Sequence, residues 1–320
     1  MKLMRPLFVI LFVLGIGALW LRGVNDPFVG LYNANNNYLA LAVKNYFRFG
    51  FVRLGFLPTY YAGAVLPASV PYYLHHPILF FLLSAIPYAL FGFHNWVVHA
   101  GTFVFTLGII VMMYRIGHMV WGRRVAVFAA LLAAGFPMLT FFWKYMFFEQ
   151  ASVFFALVLL EILIRYIQTK HARLLLGFGL VTVVAALTDW YAGYFFAVLA
   201  VFFAGGYRKA IRQIIFPYGV GLVAGFGAFL LAIFLTTGGF GDLIAAIGVR
   251  SASSELLALP YWPLRLGLLT VLRLLIYFTP LSLAGLFMWR ALQSKRGTGV
   301  AAKTVFTGLF TYGTDNVVFL

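Results

Sequence analysis

Cysteine is absent from the 320-residue sequence, and only seven residues are acidic. Without cysteine the chain can form neither disulfides nor thiolate metal sites. Charged residues of both signs make up 9% of the chain, whereas hydrophobic residues make up 64%. So few charges cannot cover the surface of a soluble globule. The composition therefore predicts an integral membrane protein, and we expect it in a plasma or inner membrane.

Motifs that mark several other functions are also missing. The sequence contains no HExxH, no HxxxH and no paired Cys/His spacing, so we expect no dedicated zinc site. Neither GxxxxGK[ST] nor GxGxxG occurs, so nothing indicates a nucleotide-driven pump. The net charge is +16, but its lysines and arginines stand in short clusters between apolar segments. We therefore expect no nucleic-acid partner, because such a partner requires a basic face.

What the sequence does contain is a series of long apolar stretches. Each is about 17 to 24 residues long, which suffices to cross the hydrocarbon layer as a helix. We predict an all-α, polytopic membrane protein that forms a single transmembrane domain over residues 1–320. Lys2 and Arg5 precede the first stretch, which resembles an uncleaved signal anchor. The N-terminus is therefore expected in the cytoplasm.

The run PYYLHHPILFFLLSAIPYALFG, residues 71–92, decides the topology. If this run crossed the membrane, every later basic cluster would face outward, against the positive-inside rule. As a helix, Pro77 to Phe91 reaches only about 22 Å, which is too short to cross without strain. We therefore expect the run to enter the outer leaflet and return to the outer side. The basic clusters are then cytoplasmic, and we expect lipid to surround the bundle.

This topology divides the chain into nine spans. The predicted spans are residues 6–22, 95–115, 125–142, 150–167, 174–188, 191–206, 214–236, 267–289 and one from 304 onward. The predicted outer segments are residues 23–94, 143–149, 189–190 and 238–265. Because the sequence ends inside an apolar segment, we expect a fragment of a longer protein that is truncated at its C-terminus.

The first outer loop contains NANNNYLALAVKNYFRFG, residues 33–50. In a helix, one face carries Tyr38, Ala42, Tyr46 and Phe49, and the other carries Asn37, Lys44, Asn45 and Arg48. This pattern is typical of a helix that lies flat at the membrane interface with its aromatic face in lipid. A purely structural role for this helix is equally open.

The few acidic residues are the most informative polar side chains. Under the predicted topology Glu149 and Asp189 lie at the outer surface, where His76 precedes the short run. We expect these three side chains to converge, although interfacial hydrogen bonding alone also explains the histidines. Glu161 stands one turn before Arg165, a spacing that predicts an ion pair.

Taken together, the long outer loop, the YYLHHPILFFLLSAIPYALFG run and the acid at the next outer loop resemble one known arrangement. It is similar to the N-terminal module of the GT-C glycosyltransferases, in the branch of protein O-mannosyltransferases and lipid A aminoarabinose transferases. In that branch a Tyr-x-x-His-Pro-Pro-Leu element leads to Leu-Phe-Gly. Tyr73, His76, Pro77 and the segment 90–92 occupy those positions, with Ile78 replacing the second proline. The resemblance covers about residues 6–240.

The resemblance implies an enzyme that transfers a sugar on the outer face of the membrane. The donor would be a polyprenyl-phosphate-linked sugar, and the acceptor a lipid, glycan or protein hydroxyl. Family members carry an acidic residue at the start of the first-loop helix, where this chain has Asn35, Asn36 and Asn37. A carboxamide can be neither a general base nor a strong metal ligand. A divalent metal, Mg or Mn, is therefore less secure here than the resemblance implies, and Glu149 is the one ligand we can suggest.

We assigned roles to the candidate residues on this basis. Glu149 is expected to be the base or a metal-organising carboxylate, His76 to orient substrate, and Asp189 to position the first loop or substrate. Intramembrane Arg273 either contacts an anionic ligand or snorkels to the interface, and with Arg265 it is expected to hold the donor phosphate. The predicted substrate-binding residues are His75, Tyr73, Asn36, Asn37, Lys144, Trp190, Arg250, Arg265 and Arg273.

Two other functions compete with glycosyl transfer. A transporter or flippase for a lipid-linked or anionic substrate would also need a few charges among many spans. Such a protein is expected to show two related halves or helices broken at mid-membrane, and the sequence shows neither. A non-catalytic membrane scaffold would tolerate exchange of Glu149, Asp189 and His76.

Overall fold

A computed structural model of the chain shows a helical bundle with one long irregular connection. The structure describes residues 33–145 and 148–245, together with the helical positions 15, 17, 18 and 21. Most of the first predicted span and the two predicted spans after residue 245 lie outside the described residues. Arg250, Arg265 and Arg273 also lie outside them, so their assigned roles stay predictions.

The described part of the chain consists of helices and contains no strand, apart from an isolated bridge between Thr59 and Tyr72. The all-α prediction is confirmed over this range. The elements are α1 (Asn33–Phe49), α2 (Leu79–Phe91), α3 (Asn95–Trp121), α4 (Arg123–Ala134), α5 (Pro137–Phe142), α6 (Phe148–Thr169), α7 (Arg173–Thr188), a 3₁₀ turn (Trp190–Tyr194), α8 (Phe195–Ala204) and α9 (Arg208–Thr237).

Three of the described helices, α3, α6 and α9, are long and apolar enough to cross a membrane. They contain 27, 22 and 30 residues and coincide with predicted spans. Helices α2 and α7 and the run from Trp190 to Ala204 are apolar but shorter. The chain is thus an integral membrane protein whose bundle combines full-length and short helices.

Helix α2 is the element that the topology prediction treats as non-crossing. It begins at Leu79 and has 13 residues, which gives a length of about 20 Å. It ends at Gly92, whose φ of 75° lies in the left-handed region that favours glycine. The Gly92 N–H bonds the carbonyl of Tyr88, and three residues later α3 begins. The short length agrees with the prediction that this run does not cross.

The predicted span 125–142 is wrong as a continuous helix. The structure breaks it between Ala134 and Pro137 into α4 and α5. Phe136, which precedes the proline, adopts an extended conformation with ψ of 122°. The proline ring disfavours the helical conformation for the residue before it, so the helix stops there.

The predicted lipid-facing side of α1 is also wrong in part. Ala42 and Tyr46 are fully buried inside the protein, whereas Tyr38 is exposed. Asn45, predicted on the polar face, is buried as well, and its amide donates to the carbonyls of Thr59 and Tyr61 at 2.8 and 2.9 Å. The connection after α1 folds back over the helix, which a pattern within the helix cannot reveal.

The pairing of α7 with α9 places backbones in close contact. A Cβ at Gly221 would lie 2.7 Å from the carbonyl oxygen of Gly179, and one at Gly225 would lie 2.7 Å from that of Val183. Small residues at i and i+4 allow such an approach between helices in lipid. Gly221 and Gly225 therefore have the packing role expected for glycine in a membrane bundle.

A buried carboxylate joins two helices at one end of the bundle. Glu161 of α6 is 5% exposed and accepts a bond of 2.7 Å from Arg165, which confirms the predicted ion pair. Arg115 of α3 adds a second contact of 2.7 Å to the same oxygen. This second arginine was not predicted, because it is 46 residues away in sequence. It fixes α3 and α6 side by side.

Candidate active site at one end of the bundle

A hydrogen bond between His76 and Asp189 connects the segment before α2 to the end of α7. The Nδ1 of His76 lies 3.0 Å from Oδ1 of Asp189. The carboxylate is only 1% exposed, while the imidazole is 13% exposed. Because Asp189 directly follows the last residue of α7, the helix end sets its position. Two of the three side chains that were predicted to converge are thus in direct contact.

Ser152 of α6 completes the surroundings of the buried carboxylate. Its Oγ lies 2.8 Å from Oδ2 of Asp189 and 3.0 Å from the carbonyl of Phe148. The hydroxyl has a single proton, and the ionised oxygen is the stronger acceptor. Each oxygen of Asp189 therefore has a donor, as a buried carboxylate requires.

The hydrogen bond to Asp189 determines what the rest of the His76 ring can do. A neutral imidazole that donates through Nδ1 has its unprotonated nitrogen at Nε2. No other hydrogen bond of His76 exists within the described part of the chain. The ring is thus held in one tautomer, with Nε2 able to accept a proton.

Aromatic rings surround this histidine. The ring of Phe148 stacks on the imidazole with centroids 4.1 Å apart and planes 7° apart. Tyr73 lies 6.0 Å from the imidazole centroid and 4.7 Å from the ring of Tyr60. Burial, and next the neighbouring Tyr73, raise the pKa of Tyr60, so its hydroxyl stays protonated. The wall around the imidazole is thus apolar but carries phenol hydroxyls.

A further bond ties the segment before α2 to the turn after α7. The indole N–H of Trp190 donates to the backbone carbonyl of His75 at 2.7 Å. Residue 75 therefore bonds residue 190, and residue 76 bonds residue 189. Both contacts fix the position of the imidazole relative to α7. Trp190 and His75 were predicted to bind substrate; the structure joins them by this hydrogen bond, and their roles toward substrate stay predictions.

Glu149 lies one residue after the ring that stacks on His76. It is exposed and belongs to the first turn of α6. A carboxylate at this position also stabilises the helix dipole, which is a purely structural role. Phe148, the preceding residue, stacks on His76, and Ser152, three residues further, donates to Asp189, whereas the role of Glu149 at this site stays a prediction.

One of the predicted first-loop residues bonds the connection that precedes α6. Asn36 is buried, and its amide donates to the backbone carbonyl of Lys144 at 3.1 Å. Asn37 is exposed on the next position of α1. The bond joins α1 to the connection that leads into α6. The asparagine that replaces a family acid thus makes a structural contact to backbone.

Several participants were missed by sequence reasoning. Ser152 and Phe148 both stand within one turn of Glu149, at the end of α6 that was predicted to face outward. This position in the sequence could have identified both residues, because side chains near the first turn of a helix lie at the same end of the bundle. Tyr60 had no such signal.

A metal was an open expectation for this site. Within residues 33–145 and 148–245 no group of three His, Asp or Glu side chains could hold a metal ion. Both oxygens of Asp189 already accept hydrogen bonds from His76 and Ser152. Within the described residues the side chains therefore do not fit a metal held by three protein ligands, and a metal stays an expectation from the resemblance.

Comparison with known proteins agrees with this architecture. The family described as dolichyl-phosphate-mannose-protein mannosyltransferase matches residues 75–235, which is just over half of the chain and contains the whole His76–Asp189–Ser152 arrangement. No curated protein sequence matches the chain.

A solved structure shares the fold. The crystal structure of ArnT from Cupriavidus metallidurans in the apo state superposes with a TM-score of 0.52 at 16% identity. The match covers 73% of this chain but 42% of that one, so the chain spans less than half the length of that protein. At this identity the likeness concerns the fold alone. The family match is the stronger finding: the chain belongs to the dolichyl-phosphate-mannose-protein mannosyltransferase family and has a GT-C type of membrane fold.

Proposed function

We propose that the chain is a membrane glycosyltransferase that moves a sugar from a polyprenyl-phosphate donor to a hydroxyl acceptor on the outer face of the membrane. The observation that carries this proposal is the His76–Asp189 hydrogen bond inside the segment that matches the family. It supplies a positioned proton acceptor at one end of the bundle, where the scissile bond of a membrane-anchored donor would lie.

The chemistry needs a base, because the attacking group is a hydroxyl. In the proposed reaction Nε2 of His76 takes the proton of the acceptor hydroxyl as its oxygen forms a bond to the anomeric carbon. The bond between that carbon and the phosphate oxygen breaks, and the electron pair leaves with the polyprenyl phosphate. Asp189 is the positioning residue, because its charge holds the imidazole tautomer and stabilises the imidazolium that forms.

This assignment gives the base role to His76 instead of Glu149. Asp189 holds His76 and leaves Nε2 as an acceptor, whereas Glu149 is exposed at the first turn of a helix. We place Glu149 at the border of the site, where it can accept a hydrogen bond from the acceptor. The donor phosphate needs cations, and Lys144 on the connection into α6 is the proposed contact within the described range.

The orientation of the site is also a proposal. Ser152 and Glu161 lie nine residues apart on α6, or about 14 Å along its axis. The site is at the Ser152 end, and the arginine pair is at the Glu161 end. Because basic residues favour the cytoplasmic side, the site would face outward.

The test uses the full chain in liposomes with a labelled polyprenyl-phosphate sugar. We expect His76→Ala to lower turnover about 10²- to 10⁴-fold, the usual contribution of a general base. Added imidazole should restore part of the activity of His76→Ala. A matched control is His171→Ala, because His171 is exposed in the connection before α7. Full turnover by His76→Ala would contradict the assignment, and unchanged turnover by Glu149→Gln would remove Glu149 from the site.

A further inference from the structure

A second concave site lies beside the His76 site, between the long connection after α1 and the segment that follows α9. It is an open cavity with a volume of about 470 Å³, within the range of pockets that hold small ligands. Its polar lining comes from Tyr61, Ser69, Tyr72 and Asp242, and prolines and small apolar side chains complete the walls. None of the eight lining residues is a base of the proposed transfer reaction.

The cavity and the active site share one wall. Tyr72 pairs with Thr59 in an isolated antiparallel bridge, so the backbone here is extended. Side chains of successive residues in an extended segment point to opposite sides. Tyr72 lines the cavity, whereas the next residue, Tyr73, contacts the ring of His76. One short segment thus separates the two sites.

The negative charge in the lining indicates which kind of ligand the cavity can bind. Asp242 is the one charged residue among the eight described residues that line it, and none of these eight is Lys or Arg. Asp242 is exposed, and within the described residues it forms no ion pair or hydrogen bond. A phosphate would be repelled by this carboxylate and would find no cation among the described lining residues. Within the described residues, the lining therefore disfavours the phosphate end of the donor.

The carboxylate and hydroxyl groups that line the cavity can form hydrogen bonds with the hydroxyl groups of a polyol. An ionised carboxylate accepts hydrogen bonds from hydroxyl groups, and these charge-assisted bonds are stronger than neutral ones. Ser69 and the tyrosine hydroxyls can donate or accept, and burial raises the pKa of Tyr72 so that its hydroxyl stays protonated. The faces of Tyr61 and Tyr72 provide apolar area for the C–H faces of a sugar ring.

We propose that this cavity binds a neutral carbohydrate, which is the acceptor end of the transfer reaction. The proposal rests on the function proposed above and narrows its acceptor from any hydroxyl to a hydroxyl on a glycan. The acceptor chain would lie in the cavity, and the hydroxyl to be modified would reach past Tyr73 to Nε2 of His76.

Binding can be measured without turnover. The full chain in nanodiscs is presented with maltose, lactose and mannobiose, and saturation-transfer NMR detects contact. We expect at least one disaccharide to bind the wild-type chain, and Asp242→Asn to weaken that binding about tenfold. Ser69→Phe should abolish binding by filling the cavity. Ala64→Phe is the matched control, because Ala64 is exposed on the same connection and does not line the cavity.

The outcomes separate this proposal from the proposed function. His76→Ala should bind the disaccharide as the wild type does while losing transfer, and Ser69→Phe should raise the KM for acceptor but not for donor. Absence of binding by all three disaccharides, or binding that survives in Ser69→Phe, would overturn the proposal. Displacement of the bound disaccharide by polyprenyl phosphate would assign the cavity to the donor and overturn it as well. If wild-type protein binds sugar but transfers none, the function proposal fails and the carbohydrate site stands.

Discussion

Asp189 and His76 are 113 residues apart in sequence, yet their side chains meet at 3.0 Å with the carboxylate almost fully buried. A buried carboxylate is costly unless every oxygen has a donor, and here His76 and Ser152 supply one each. The arrangement fixes the orientation of the imidazole from a helix end. Because Asp189 and Ser152 together hold the His76 imidazole in place, substitution of either residue should alter the activity of His76.

The Asp189→Asn variant tests whether the charge of this residue acts through His76. Asparagine keeps the size and can still accept from Nδ1, but it cannot stabilise the imidazolium by charge. We expect kcat to fall about 10²-fold with the KM for donor unchanged. Steady-state kinetics on liposomes measures this split. A matched control is Glu161→Gln, which neutralises the other carboxylate that is buried among the described residues, far from His76. A rise in KM with unchanged kcat would contradict a role through the imidazole.

The Ser152→Ala variant removes one of the two donors to Asp189. The Oδ2 atom would lose its 2.8 Å contact, and water can replace it only in part because the site is buried. We expect about a tenfold loss of kcat, smaller than that of Asp189→Asn. Turnover relative to Thr169→Ala checks this, since the Thr169 hydroxyl is exposed, donates to the Arg165 carbonyl of its own helix and accepts only from the nearby His171 N–H. A Ser152→Ala enzyme as active as the Thr169→Ala control would show that Ser152 does not support the carboxylate.

Sequence reasoning predicted the helical class, the positions of the three longest described helices, and two partners of the site. Those features are local, because an apolar run of sufficient length defines a spanning helix by itself. The Glu161–Arg165 pair was predictable for the same reason, since both residues lie on one helix.

What could not be predicted depends on contacts between distant segments. The burial of Ala42 and Tyr46 follows from the connection that folds over α1, and the second arginine on Glu161 comes from another helix. Ser152 is one polar residue in an apolar run, and nothing within that run shows that Asp189 lies opposite. Periodicity identifies the buried face of a helix but not the element that covers it.

Alkaline pH should open the connection after α1. Burial raises the pKa of Tyr46, whose hydroxyl donates to the carbonyl of Phe56 at 2.7 Å. The folded state therefore keeps the phenol protonated, and its contribution to stability is complete below the ordinary pKa of about 10 and is lost as the pH rises above it. After correction for the base-catalysed intrinsic rate, hydrogen exchange in residues 50–61 should increase above about pH 10.

The matched pair for this prediction is Tyr46→Phe and Tyr38→Phe. Tyr46→Phe removes the titrating hydroxyl and its bond, so exchange should be faster at neutral pH but depend less on alkaline pH. Tyr38 lies on the same helix and is exposed, so Tyr38→Phe should behave as the wild type. An unaltered pH dependence in Tyr46→Phe would assign the alkaline opening to another group.

The two arginines on Glu161 should be redundant. Arg115 and Arg165 both contact Oε1, and each is about half exposed, so water can solvate either one. Removing one arginine leaves the buried carboxylate paired, and we expect a loss below about 1 kcal/mol. Removing both leaves an unpaired buried charge, which costs about 3–5 kcal/mol. A double-mutant cycle of Arg115→Ala and Arg165→Ala, followed by thermal unfolding, should therefore be strongly non-additive, and additive losses would refute the redundancy.

The contact between α7 and α9 gives a sharp test within one helix. At Gly225 a Cβ would lie 2.7 Å from both the Val183 carbonyl oxygen and the Ala186 Cβ, and backbone atoms cannot move aside cheaply. Gly225→Ala should therefore destabilise the bundle by about 1–3 kcal/mol through overpacking.

Gly227 is two residues further on the same helix and has nothing within 4 Å of its Cβ position. Gly227→Ala should be neutral or stabilising by up to ~1 kcal/mol, because alanine favours the helix. Unfolding temperatures of the two variants in the same detergent measure the difference. Equal temperatures would mean that the backbones of α7 and α9 are further apart than the structure shows.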